Sequence, residues 1–87
     1  MSVFDQQCFE AIDLILLKDD WEAAHKIVQD INSPVAQLIH AVLHKIEGDE
    51  ANSRYWYSRS GLEIYETHNN CQLELKSIRI KLLGQTP

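Results

Sequence analysis

Two histidines four residues apart, His40 and His44, are followed three residues later by Glu47. On a helix such positions share a face, so the three side chains form one polar stripe. Neutral imidazoles and a carboxylate are a donor set for zinc and other borderline divalent ions. His25 lies one turn after Trp21 and joins the stripe if its helix runs alongside. The same residues also have plainer uses. A helical wheel sets the stripe well away from the apolar positions Leu38, Val42 and Ile46, which suits a solvated or interfacial face. For His25 the preferred reading is that its ring packs on Trp21 and its nitrogen bonds a backbone carbonyl. The His-Glu-x-x-His order of metalloproteases is absent from the chain.

Aromatic groups crowd the next segment. Tyr55, Trp56 and Tyr57 are consecutive, so on a helix they point in three directions. A single neighbour cannot cover all three. Their helix packs on two sides or presents an aromatic anchor to a partner. Asn52, Trp56 and Arg59 share one side of it, and with Glu47 and Asp49 they can form a buried polar network. Arg59 is expected to pair with Glu47, Asp49 or Glu63, and can otherwise grip an anion. His68 sits among polar residues and is expected in solvent. Ser58 and Ser60 adjoin no glycine elbow, and no glycine-rich phosphate loop occurs.

Five helices are needed to hold these groups. The first runs from about Ser2 to Lys18, with Phe4, Cys8, Ala11, Ile12 and Ile15 at helical spacing. Asp19 or Asp20 caps a second that starts at Trp21. Ser33 and Pro34 suit the cap and first position of a third, which reaches about Glu47. Gly48 can end that helix in a left-handed conformation, and Asp49 at once caps a fourth, which stops at Gly61. So short a connection makes the third and fourth an antiparallel hairpin. Asn69-Asn70 is a turn or cap signal. From Cys71 to Leu83 the apolar residues alternate in part, as in a strand. Cys71, Leu75, Ile78 and Leu82 also share a helical face, and with Glu74, Lys76, Arg79 and Lys81 present we read a helix. Residues 84–87 read as a frayed end.

Eighty-seven residues make one domain, and 45% hydrophobic content is ordinary for a folded one. A formal net charge of −5 disfavours a nucleic-acid partner. Cys8 and Cys71 have no metal-ligand spacing and read as reduced core thiols. Without a basic leader or a bilayer-length apolar run, the chain is expected in the cytoplasm, with no membrane partner.

The combination Trp21-x-x-x-His25, Ile39-His40-x-x-Leu43-His44-x-x-Glu47-Gly48-Asp49, Asn52 and Tyr55-Trp56-Tyr57-x-Arg59-x-Gly61 resembles a group of small, uncharacterised, mainly bacterial helical proteins. It covers about half the chain. Members of that group often have arginine in place of Lys45 and alanine in place of Ser60. The resemblance carries no activity. It implies a helical fold and a surface of interest made of His25, His40, His44, Glu47, Asp49, Asn52, Tyr55 and Trp56. The first and last helices lie outside it.

The expected fold is all-α, with about five short helices in antiparallel hairpins, similar to a truncated tetratricopeptide-like array. Such an array leaves an open flank, and a small core gains from covering it, so a homodimer is expected. The leading functional expectation is a non-enzymatic protein–protein interaction module. It uses the hairpin of the third and fourth helices, with Tyr55, Trp56 and Tyr57 as anchors. The alternative is a metal- or small-ligand-binding protein, an enzyme included, built on His40, His44, Glu47 and His25. Beyond such a divalent ion no cofactor is expected.

Overall fold

Each helix begins where a short polar side chain turns back onto its own backbone. The computed structural model describes residues 2–84. It holds α1 (Val3–Lys18), α2 (Trp21–Val28), α3 (Pro34–Ile46), α4 (Glu50–Ser60) and α5 (Cys71–Leu83). The side chains of Ser2, Asp20, Ser33, Asp49 and Asn70 accept from the backbone N–H three residues on and cap the five starts. The ends are as local. Asp19 closes α1 in the left-handed region (φ 51°), a conformation that a short carboxylate side chain tolerates. Gly48, at φ 84°, turns the chain from α3 into the cap of α4.

The ambiguous segment from Cys71 to Leu83 is helix, and the described residues contain no strand. Cys71, Leu75, Ile78 and Leu82 share its inner face as their spacing predicts, with the latter three fully buried. The fold is all-α. No helix among the described residues is long and apolar enough to cross a membrane. Of the frayed end expected at 84–87, only Gly84 is described, and its N–H still bonds the Ile80 carbonyl.

α3 is the central element. It touches all four other helices, and every residue from Ala36 to His44 is buried. α1 adds Cys8, Ala11, Ile12 and Ile15, α2 adds Ala24 and Val28, and α5, packed on both α1 and α3, adds Leu75, Ile78 and Leu82. Two residues expected in the core are outside it. Ile46 is exposed at the end of α3, and Phe4, in the first turn of α1, is 56% exposed. α4 has no apolar face of its own. It is held to α3 by Tyr57, which enters the core, and by the buried Ser53 hydroxyl, which donates to the Ala41 carbonyl at 2.6 Å.

A buried ion pair joins the hairpin to α5. Glu74 is 1% exposed, accepts the Tyr57 hydroxyl at 2.6 Å and meets Lys45 Nζ at 3.2 Å. Lys45 also donates to the carbonyls of Tyr65 and His68, at 2.9 and 3.0 Å, and lies over the rings of Tyr57 and Tyr65. Burial and the neighbouring carboxylate push the Tyr57 hydroxyl far above the usual tyrosine range, so it stays a donor. His68, expected in solvent, is half-buried, because Lys45 draws its loop against the body.

Candidate metal centre

α2 and α4 both pack on α3 or beside it but do not touch each other. The polar stripe of α3 therefore lies on the floor of a seam, between His25 on one wall and Trp56 on the other. His40 and His44 are 5% and 7% exposed, so the expectation of a solvated face is corrected. The wheel measured only the distance from one apolar stripe. A helix at the centre of a bundle has neighbours on its polar side as well.

Three imidazoles meet in this seam. His25 Nε2 and His40 Nε2 are 2.9 Å apart, one donating to the other. The His44 ring centroid lies 5.2 Å from that of His25 and 4.8 Å from that of His40. One nitrogen of each ring falls within 4.8 Å of the other two. A tetrahedral ion with bonds of about 2.0–2.1 Å needs its nitrogens about 3.3 Å apart, so small ring rotations suffice to close on it.

The aromatic neighbours set the ring planes. Trp21 stacks on His25 with centroids 4.7 Å apart and a 10° interplanar angle. Its indole N–H donates to the Leu43 carbonyl at 2.7 Å, which fixes α2 against α3. Trp56 stacks on His40 at 4.0 Å and 17°. The packing expected between His25 and Trp21 is present. The nitrogen of His25 bonds His40, however, not a backbone carbonyl.

Glu47 meets His44 rather than His40. Its carboxylate accepts the Nδ1–H of His44 at 2.6 Å, which leaves Nε2 as the free nitrogen of that ring. His44, Glu47 and Asp49 make a second donor group at the mouth of the seam, with both carboxylates exposed. The Asp49 carboxylate is engaged in capping α4, where it accepts from the Asn52 backbone and side chain at 3.2 and 3.4 Å.

Electrostatics keep the inner rings neutral. Burial, then the nearby His25 and His44, lower the His40 pKa to about 3. Burial, then His44, also lower that of His25, with Glu47 opposing. Neutral imidazole is the form that binds metal.

The remaining candidates separate. Tyr57 is a core residue, 2% exposed and bonded to Glu74, which removes it as a contact anchor. Trp56 is committed to His40, and Tyr55 alone points outward, 52% exposed. Arg59 makes none of the expected salt bridges. Its guanidinium lies over Trp56 and Tyr55, 5.4 and 5.8 Å from the centroids, and donates to the Tyr55 hydroxyl at 3.2 Å. Glu63 faces Lys81 instead. The buried network expected of Asn52, Trp56, Arg59, Asp49 and Glu47 does not assemble. Sequence reasoning missed Lys45 and Glu74, though a signal exists. Glu74 sits one turn after Cys71 on the apolar stripe of α5, and Lys45 three residues after Val42 on that of α3. A lone charge on each of two buried stripes marks a pair.

No family model, curated protein or solved structure matches the chain.

Proposed function

We propose that this protein binds a divalent transition-metal ion through His25, His40 and His44. The convergence of three imidazoles in one seam, those of His40 and His44 buried and that of His25 partly so, carries the reading. An all-imidazole set favours zinc, copper or nickel over magnesium and calcium, which prefer oxygen ligands. Glu47 serves as the group that orients His44 and fixes its tautomer. Three protein nitrogens leave a further coordination position for water or a small ligand, as sites that do chemistry on a metal require. The rival reading, a hairpin contact surface, keeps only Tyr55 as an outward anchor and has less support.

Ion binding to the folded form alone stabilises it by about 2.7 kcal/mol at a free concentration a hundredfold above Kd. For a chain of this size that is a rise in Tm of roughly 10–20 °C. Titration with Zn(II), Ni(II) and Cu(II), against Mg(II) as control, is expected to give such a rise. Native mass spectrometry is expected to show one added ion per chain. Because Trp21 and Trp56 stack on two of the ligands, Cu(II) should also quench their fluorescence. His25→Gln, on the least buried of the three rings, is expected to abolish all three effects while leaving the far-UV circular dichroism intact. An unmoved Tm together with a metal-free mass for the wild-type chain would sink the proposal.

A further inference from the structure

A groove opens on another side of α3, between the first turn of α1 and the last turns of α5. Leu38, Leu62, Ile78 and Leu82 line its apolar surface, and Asp5 on α1 and Lys81 on α5 stand on its two rims. It belongs to a different face from the histidine seam. Leu38 and the pair His40 and His44 point to opposite sides of α3, as their offsets on a 3.6-residue period require.

We propose that this groove is the two-fold contact between two copies of this chain. Three observations argue for a second copy as the occupant. First, the rims carry opposite charges on different helices. In a two-fold contact the same patch meets itself, so Asp5 of one copy faces Lys81 of the other, twice. A chain of net charge −5 repels its own copies over most of its surface, and a face carrying both signs is where that repulsion is relieved. Second, exposed apolar side chains able to enter such a groove are on the molecule itself. Phe4 continues the buried stripe of α1 one turn before Cys8, yet it is 56% exposed. Leu62 is 51% exposed at the groove edge. A self-complementary contact needs hole and knob side by side, and Phe4 adjoins the rim residue Asp5. Third, Lys81 is 62% exposed in its side chain and only 3.6 Å from Glu63, a loose pair free to re-aim. The one lysine among the residues lining this groove, on an acidic chain, suits neither a polyanion nor an anionic lipid surface.

The test is sedimentation velocity across a concentration series, with a chelator present so that the result is independent of any ion. The wild-type chain is expected to dimerise. Asp5→Lys and Lys81→Asp, alone, are each expected to weaken the dimer about tenfold or more, because each places like charges together twice. An equimolar mixture of the two variants restores both attractive pairs and is expected to recover wild-type association. Leu62→Glu is expected to give monomers with unchanged circular dichroism. A wild-type chain that stays monomeric to about 1 mM overturns the proposal, and is the result if the groove takes a different protein. So does a dimer insensitive to these changes, or a mixture that fails to reassociate.

Discussion

Lys45→Met is expected to lower the stability of the fold by about 3–5 kcal/mol, the usual cost of leaving one partner of a buried ion pair uncompensated. Glu74 would then keep only the Tyr57 hydroxyl. The loop from Gly61 to Asn70 would lose both carbonyl contacts that hold it to α3, those of Tyr65 and His68. In Tm the loss is roughly 15–30 °C for a domain of this size. Urea denaturation of the single variant measures it. The triple variant Lys45→Met, Glu74→Leu, Tyr57→Phe removes the charges and the hydroxyl together, and is expected to recover more than half of the loss. The pair specifies how α5 docks more than it adds net energy. A single-variant loss under about 1 kcal/mol would show that water reaches Glu74 and that the pair is not closed.

The second large effect is acid sensitivity. His40 titrates near pH 3 in the folded chain, against 6.5 as the ordinary value. Between those values the unfolded chain holds a proton that the folded chain does not, so stability rises with pH across that window. Its contribution is complete above about pH 6.5 and is lost as pH falls toward the folded value, at about 1.4 kcal/mol per pH unit. His25 is shifted in the same direction and adds to the slope. Between about pH 6.5 and pH 5, before most carboxylates titrate, His40 alone accounts for about 2 kcal/mol. Urea titrations at several pH values, with chelator present, are expected to show the slope in the wild-type chain and a loss of about one proton of linkage in His40→Gln. Equal slopes in the two proteins would mean that water reaches the ring and that the imidazole cluster opens readily.

Helix positions were legible in the chain because each start is a local event. Ser2, Asp20, Ser33, Asp49 and Asn70 cap their own helices, with no help from distant residues. Gly48 and Gly61 mark ends for the same reason. Burial was less legible. The His40 and His44 stripe reads as an outer face until α3 is known to have a neighbour on each side. Tyr57 reads as a contact residue until its hydroxyl is seen on Glu74. The spacing of His40, His44 and Glu47 correctly places them on one face. Whether Glu47 binds an ion or orients a ring depends on rotamers that spacing does not encode. Lys45 and Glu74 pair across 29 residues, and the stripe pattern marks each as a buried charge without showing that the two helices meet.

Five self-capped helices have a kinetic consequence. α1 with α2, and α3 with α4, are chain neighbours, so their pairing closes only short loops and forms early. α5 reaches the body across the longest separations. Its Arg79 meets Asp13 over 66 residues, with the guanidinium 4.4 Å from the Phe9 ring. It therefore docks last, and its half-exposed helix is the first to undock. The earliest opening of the native state would then strip one rim and half the floor from the groove between α1 and α5. The His25–His40–His44 seam would keep its shape, because all of its rings belong to the part already assembled. Hydrogen exchange should rank the two regions in that order.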